Sequence, residues 1–228
     1  MHQELIEYLS EFVSERRKNR LQEVLSQRTR HMTIVLEDIY QAHNASAVLR
    51  SCDCFGIQDV HFIENKHHFK ISEDVSMGST QWLSIHKYRD KENNTIRCLK
   101  SLKQKGYRIV ATTPHKDDCF LDELKVDSPF ALVFGTEIKG ISAEVSEIAD
   151  EFVRIPMYGF TESFNISVSA ALCMYELTKK IRANAEINWE LKEKEKGEIY
   201  LDWLRCSVKH ANLLEKRYLE EFKSKNVP

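Results

Sequence analysis

Residues 33–63 run TIVLEDIYQAHNASAVLRSCDCFGIQDVHFI, and the fold is decided there. Thr33-Ile34-Val35-Leu36 is a short β-branched apolar run. A helical stretch from Asn44 to Phe55 follows and is stopped by Gly56, and Val60-His61-Phe62-Ile63 is a second apolar run. Strand, helix and strand within so few residues predict two parallel strands joined by a crossover helix. Working toward the C-terminus, the alternation continues. Trp82-Leu83-Ser84-Ile85 precedes a helix from about Lys91 to Lys105 that ends at Gly106, and Arg108-Ile109-Val110-Ala111 and Ala131-Leu132-Val133-Phe134 are buried strands. Phe152-Val153-Arg154-Ile155 is the last strand, and a long apolar helix follows Asn165. Near-continuous apolar strands separated by helices imply an α/β fold, a mostly parallel sheet flanked by helices.

Outside this core both ends are helical in pattern. Residues 1–30 repeat Leu5, Tyr8, Leu9 and Phe12, then Leu21, Val24 and Leu25, at spacings of three and four. Arg16, Arg17, Lys18, Arg20, Arg28 and Arg30 crowd positions 16–30 against a lone acid, Glu23. A charge run of this kind is commonly a solvated helix face. Residues 185–228 form a charged helical extension in which Trp189, Ile199, Trp203, Leu204, Leu213, Leu214, Tyr218, Leu219 and Phe222 supply apolar faces. The expected division is therefore 1–30, 31–184 and 185–228.

Composition removes several classes of function. Thirty-three Lys and Arg against thirty-five Asp and Glu give a net charge of −2, so the bulk charge announces no nucleic-acid binder and any basic surface has to be local. No apolar run approaches the roughly 20 residues of a membrane span, and MHQELIEYLSEF resembles no secretory signal. The six scattered cysteines read as reduced thiols, which suits a cytoplasmic protein. The seven glycines form neither a G-x-G-x-x-G fingerprint nor a P-loop, and the nine histidines lack metal-ligand spacing. We therefore expect no nucleotide bound in the Rossmann manner, and no metal.

Three constellations at strand ends remain. In His43-Asn44-Ala45-Ser46-Ala47-Val48-Leu49-Arg50, Asn44 is placed as a helix N-cap and Arg50 lies close to two turns on. In Phe134-Gly135-Thr136-Glu137-Ile138-Lys139-Gly140, Gly135 permits close backbone approach, and the next helix opens near Ser142. The third runs from Ile155-Pro156-Met157 through Ser163-Phe164-Asn165-Ile166-Ser167 into a helix rich in small residues. Either Ser163 or Asn165 would serve as its cap, so a cluster holding both, with Ser167, exceeds what capping needs.

Together N-x5-R, F-G-x-E-x-x-G and I-P-M-x-G-x3-S-x-N-x-S-V resemble, in order, the three motifs of the SpoU (TrmH) branch of the SPOUT RNA methyltransferases. The likeness spans roughly residues 16–185 and is greatest to members that methylate the ribose of guanosine eighteen in the tRNA D-loop. The chain has Gln41-Ala42 where those members often carry Lys-Pro, Phe164 for a usual Leu, and Glu162 for Gln.

The resemblance implies a C-terminal trefoil knot holding S-adenosylmethionine, with cofactor contacts at Thr112, Gly135, Ile155, Met157 and Phe164. It implies catalytic positions at Arg50, Asn44, Glu137, Ser163 and Asn165. RNA contacts are implied at Arg16, Arg17, Lys18, Arg20, Arg28, Arg30 and Lys179. A homodimer acting on tRNA follows from the same likeness. Ribosomal RNA is the alternative substrate, and a non-catalytic RNA-binding module on the same fold is the alternative of another class. Two roles for Arg50 stay open. It would act as the base for the 2'-hydroxyl, or it would clamp phosphate and the developing alkoxide, since a guanidinium is effectively never deprotonated in a protein.

Overall fold

The structure, a computed structural model, describes residues 2–68, 73–90, 92–114, 119–136 and 139–225. The chain opens with α1 (His2–Ser10) and α2 (Glu15–Ser26) and enters the sheet at β1 (Met32–Glu37), followed by α3 (Ala42–Phe55) and β2 (Asp59–Ile63). Next come α4 (Glu73–Ser76), β3 (Ser84–Tyr88), α5 (Asn94–Gln104), β4 (Arg108–Thr112) and β5 (Cys119–Phe120). The core closes with β6 (Phe130–Phe134), α6 (Ala143–Ile148), β7 (Glu151–Arg154) and α7 (Ile166–Ala183), and α8 (Glu193–Ser207) and α9 (Ala211–Lys225) end the chain. These elements form two compact units, one of residues 29–189 and one that gathers the two chain ends.

In the 29–189 unit the strands lie in the order β3-β2-β1-β6-β4-β7-β5, every pair parallel. The expected parallel α/β sheet is present. Alternate residues of β1 serve opposite faces, as the pleat requires. Ile34 and Leu36 pack with Val48, Leu49, Met174 and Leu177 of α3 and α7, whereas Val35 packs with Leu99 and Leu102 of α5. Gly56 ends α3 at φ 76°, a left-handed value that a residue bearing a Cβ adopts only with strain. Two details depart from the sequence pattern. Ser79–Trp82 is a 3₁₀ turn entered from Gly78 at φ 73°, so β3 starts at Ser84 rather than Trp82. Strand β5 is only two residues long, below what an apolar pattern reveals.

The other unit packs α1, α2, α8 and α9 together. Leu5, Ile6 and Leu9, Leu21 and Leu25, and Ile199, Trp203 and Leu204 are its buried apolar residues. Tyr8 lies against Tyr218 with ring centroids 4.9 Å apart. Ser14 caps α2 through the Arg17 amide.

Buried polar groups concentrate on one face of β2 and β3. Asp59 accepts from Arg30 Nε at 2.6 Å and pairs with His86 Nε2 at 2.8 Å, and His61 stacks on His86 at 4.5 Å. Burial alone would raise the Asp59 pKa, but the His86 hydrogen bond and the Arg30 charge outweigh it and hold the carboxyl below its usual range. Burial, with His86 and Lys105 adding repulsion against the attraction of Asp59, pushes His61 down to about 3. The folded protein therefore keeps His61 neutral where the unfolded chain, titrating near 6.5, takes up a proton. This group's contribution is intact above pH 6.5 and declines as pH falls toward 3, by about 1.4 kcal/mol per pH unit. Urea unfolding across that range should show stability dropping with acid. His61→Phe, which keeps a ring against His86, should make the decline measurably shallower, and an unchanged slope would mean His61 does not titrate as placed.

Candidate active site

A cavity of about 690 Å³ opens at the C-terminal ends of β4, β6 and β7, beside the start of α3. Ligands of open parallel sheets sit at this edge, where strand order reverses. Thr112 and Thr113, Phe134 to Thr136, Val153 to Ile155, Met157 and the 163–166 segment line it, together with Gln41 and Asn44. All five expected cofactor positions, Thr112, Gly135, Ile155, Met157 and Phe164, thus face one space, as do Asn44, Ser163 and Asn165 of the expected catalytic set.

A run of amides links the first constellation to the third. Asn44 donates from Nδ2 to Gln41 Oε1 at 3.2 Å, and its own Oδ1 accepts from Asn165 Nδ2 at 3.1 Å. Asn165 Oδ1 then accepts from the Ser167 amide at 2.8 Å and the Ser167 hydroxyl at 2.7 Å, which caps α7. Asn165, rather than Ser163, is the cap. Asn44 is not one: α3 begins at Ala42, so Asn44 is already inside the first turn and buried. Its side chain is committed across to Asn165, a tertiary partner that local capping rules do not anticipate.

The second constellation is held by a residue that no motif singles out. Glu37, buried at the end of β1, accepts from the Thr95 hydroxyl at 2.7 Å and from the Ser142 hydroxyl and amide at 2.8 and 3.0 Å. Ser142 in turn caps α6 through the Val145 amide. The only signal for Glu37 in the sequence is a carboxylate ending an otherwise apolar strand. Thr136 and Gly140 exchange backbone hydrogen bonds at 2.8 and 3.0 Å, folding the loop back over Gly135. A Cβ on Gly135 would stand 2.2 Å from the Gly140 carbonyl carbon, so it is this backbone, not a ligand, that demands glycine there.

The remaining expected residues are scattered. Arg50 is exposed on α3 and does not line the cavity, and Glu137 lies outside the described residues. Arg16, Arg17 and Arg20 are exposed on α2, Lys18 pairs with Glu15 and Arg20 with Glu23, and Lys179 is exposed on α7. Two of the expected RNA contacts are corrected. Arg28 is 1% exposed, its guanidinium 5.2 Å from the centre of the Trp203 ring, and Arg30 is bound to Asp59. Both follow the end of α2 at Ser26 and have left its basic face.

Gly135→Ala tests the tight loop. Its Cβ meets main chain that cannot swing aside, so overpacking should cost about 1–3 kcal/mol. Thermal unfolding should register that loss, whereas Gly140→Ala, with nothing within 4 Å of its Cβ, adds only the strain of φ 67°.

Comparison with known proteins places this architecture. The SpoU rRNA Methylase family model matches residues 31–175. The chain is 42% identical over 207 residues to a tRNA (guanosine(18)-2'-O)-methyltransferase of Borreliella burgdorferi, covering 91% of this chain and 93% of that one. It is 34% identical over 177 residues to the protein of that name in Aquifex aeolicus, covering 77% and 81%. The crystal structure of the A. aeolicus TrmH/SpoU tRNA modifying enzyme superposes with a TM-score of 0.76 at 31% identity, covering 86% of this chain and 98% of that one. With its three motif segments meeting at one sheet edge, the chain belongs to the SpoU methylase family.

Proposed function

We propose that this protein methylates the ribose 2'-hydroxyl of guanosine 18 in the D-loop of tRNA, using S-adenosylmethionine. The observation that carries the reading is the 42% identity, over 91% of the chain, to a protein of that named activity. The cavity suits the cofactor. Ile155, Met157 and Phe164 give it apolar walls for a purine, and a nucleoside without phosphates needs no glycine-rich cradle. When bound, S-adenosylmethionine supplies an electrophilic methyl group. The protein's part is to bring the RNA oxygen to that methyl and to manage the proton the oxygen loses.

Asn165 and Asn44 hold motif three against the start of α3, and Thr112, Gly135, Ile155, Met157 and Phe164 enclose the cofactor. Glu137 and Ser163 order the loops or contact the ribose. Arg50 binds an RNA phosphate and stabilises the developing alkoxide, the role that suits a permanently charged fork of donors. The family's C-terminal trefoil knot and its homodimer are part of this reading. A dimer is supported by Val168, Leu172 and Tyr175, which stand exposed along one face of α7. Arg16, Arg17, Lys18 and Arg20, with Lys179, attract the tRNA. A cytoplasmic location, where tRNA is found, completes the picture.

Nucleoside mass spectrometry of tRNA from a deletion strain should show 2'-O-methylguanosine lost. If tRNA is unchanged and a ribosomal site disappears, the substrate is ribosomal RNA instead. In single turnovers Arg50→Ala should be slowed about a hundred- to a thousandfold with cofactor affinity unchanged, and Arg50→Lys should gain little as pH rises. A lysine variant rescued at high pH would favour the base role. Replacing Arg16, Arg17 and Lys18 with alanine should flatten the logarithmic salt dependence of tRNA binding by roughly 0.7–0.9 for each phosphate left unneutralised. An unchanged slope would leave that face merely solvated.

A further inference from the structure

A second cavity, of about 1080 Å³, adjoins the first along a shared wall of Gln41, Thr136 and residues 139–142. It lies over the ends of β1, β2 and β3, and cofactor binding leaves it without a role. The geometry points to this cavity as the pocket that receives the base of the target guanosine, with Tyr40 as its stacking surface and Asn94 as an acceptor for its donor edge. The inference rests on the proposed function for the identity of the nucleotide, but its physical grounds are separate.

The first ground is adjacency. Methyl transfer requires the ribose to reach the cofactor, so its base must enter a space continuous with the cofactor cavity, and this one is. The second is an exposed aromatic side chain. Tyr40 is 72% exposed, directly after the buried Asp38 and Ile39, and it meets His67 edge-on at 5.1 Å. Enzymes that act on single nucleotides, and proteins that bind unpaired RNA, use such rings to stack an extruded base.

The third ground is an unmet acceptor. Asn94 lines the cavity and is 3% exposed, and its Nδ2 donates to the Glu64 carbonyl at 3.4 Å while its Oδ1 accepts from none of the described residues. A buried polar atom without a partner is uncommon and wants a donor. The carboxylates of Asp90, Glu92 and Glu144 line the same space. Those carboxylates suit guanine, whose Watson–Crick edge offers N1–H and N2–H₂ side by side, although Lys66, Arg89 and Lys139 line the same space. Lys66, Arg89 and Lys139, all exposed around it, are available for the flanking phosphates.

The test uses the full chain. Tyr40→Ala should lower kcat/KM for tRNA about ten- to hundredfold with S-adenosylmethionine affinity unchanged, and Tyr40→Phe, which keeps the ring, should restore it. Unchanged kinetics in the alanine variant, or a phenylalanine variant as poor as alanine, overturns the assignment while the methylation itself stands. A binding measurement separates the two claims. An RNA hairpin of D-loop sequence, with guanosine or adenosine at the target position, is titrated into isotope-labelled protein. The guanosine hairpin should shift the Asn94 side-chain amide and Tyr40 ring resonances, and the adenosine hairpin should not. Shifts of this kind in a protein that transfers no methyl to tRNA would sustain the guanine pocket and sink the proposed reaction. A guanosine hairpin that moves neither residue overturns the pocket whatever the activity.

Discussion

One hydrogen bond, from Asn165 to Asn44 at 3.1 Å, joins positions 121 residues apart and ties the two halves of the candidate site together. Its net worth is about 1 kcal/mol, so it does not hold α3 to α7. That is done by packing, down to the Cys52 thiol lying 3.7 Å from the Met174 sulfur. What the bond fixes is orientation. Each amide is engaged on both sides, Asn44 also by Gln41 and Asn165 also by Ser167, so neither is free to rotate. Removing Asn165 would take a donor away from the buried Asn44 Oδ1, which costs more than the bond itself contributes. The α7 cap is thereby made part of the cavity wall.

The end of β1 works in a comparable way with charge. Glu37 and Asp38 are adjacent carboxylates turned to different tasks. Glu37 gathers Thr95 and Ser142, and so fixes the loop that closes over Gly135. Asp38, at φ 48°, accepts from the amides of Asn65 and Lys66 at 2.7 and 2.8 Å and so holds the segment that follows β2. Aspartate tolerates that left-handed geometry better than most residues. Both side chains line the second cavity, and Glu37 is bonded through Ser142 to the wall it shares with the first. Loops leaving three different elements are thus positioned from one strand end without a metal or a disulfide among the described residues.

How much of this can be read from the sequence follows from the range of the forces involved. The strand runs, the stop at Gly56 and the long helix after Asn165 are local effects of periodicity and φ preference, and they stand in the structure where expected. The three motif segments can be ordered along the chain, and the structure brings Asn44, Gly135, Ser163 and Asn165 of them to one cavity while Arg50 stays outside it. Asn44 reads wrongly as a cap because an asparagine before an apolar run is a good cap in isolation, whereas α3 starts two residues earlier and Asn44 is bonded to a tertiary partner. Glu37 is invisible because a single carboxylate in sequence looks like any solvated charge until its three donors are in place. Strand β3 slips by two residues because Gly78 starts a turn whose apolar content imitates a strand.

The basic run at residues 16–30 shows most plainly what a charge pattern conceals. It is continuous in sequence but divides physically where α2 ends at Ser26. Before that point the cations lie on exposed helix surface, and their acidic partners are one turn away: Glu15 for Lys18 and Glu23 for Arg20. Pairs of this spacing are worth only about 0.3–0.5 kcal/mol, so separating them costs little. Beyond that point Arg28 and Arg30 are bound into the protein by Trp203 and Asp59. Taking either from its site would strand a buried group, a far larger penalty than breaking a surface pair. A protein of net charge −2 can therefore still present a positive face, because the cations that structure needs and the cations left at the surface are different residues.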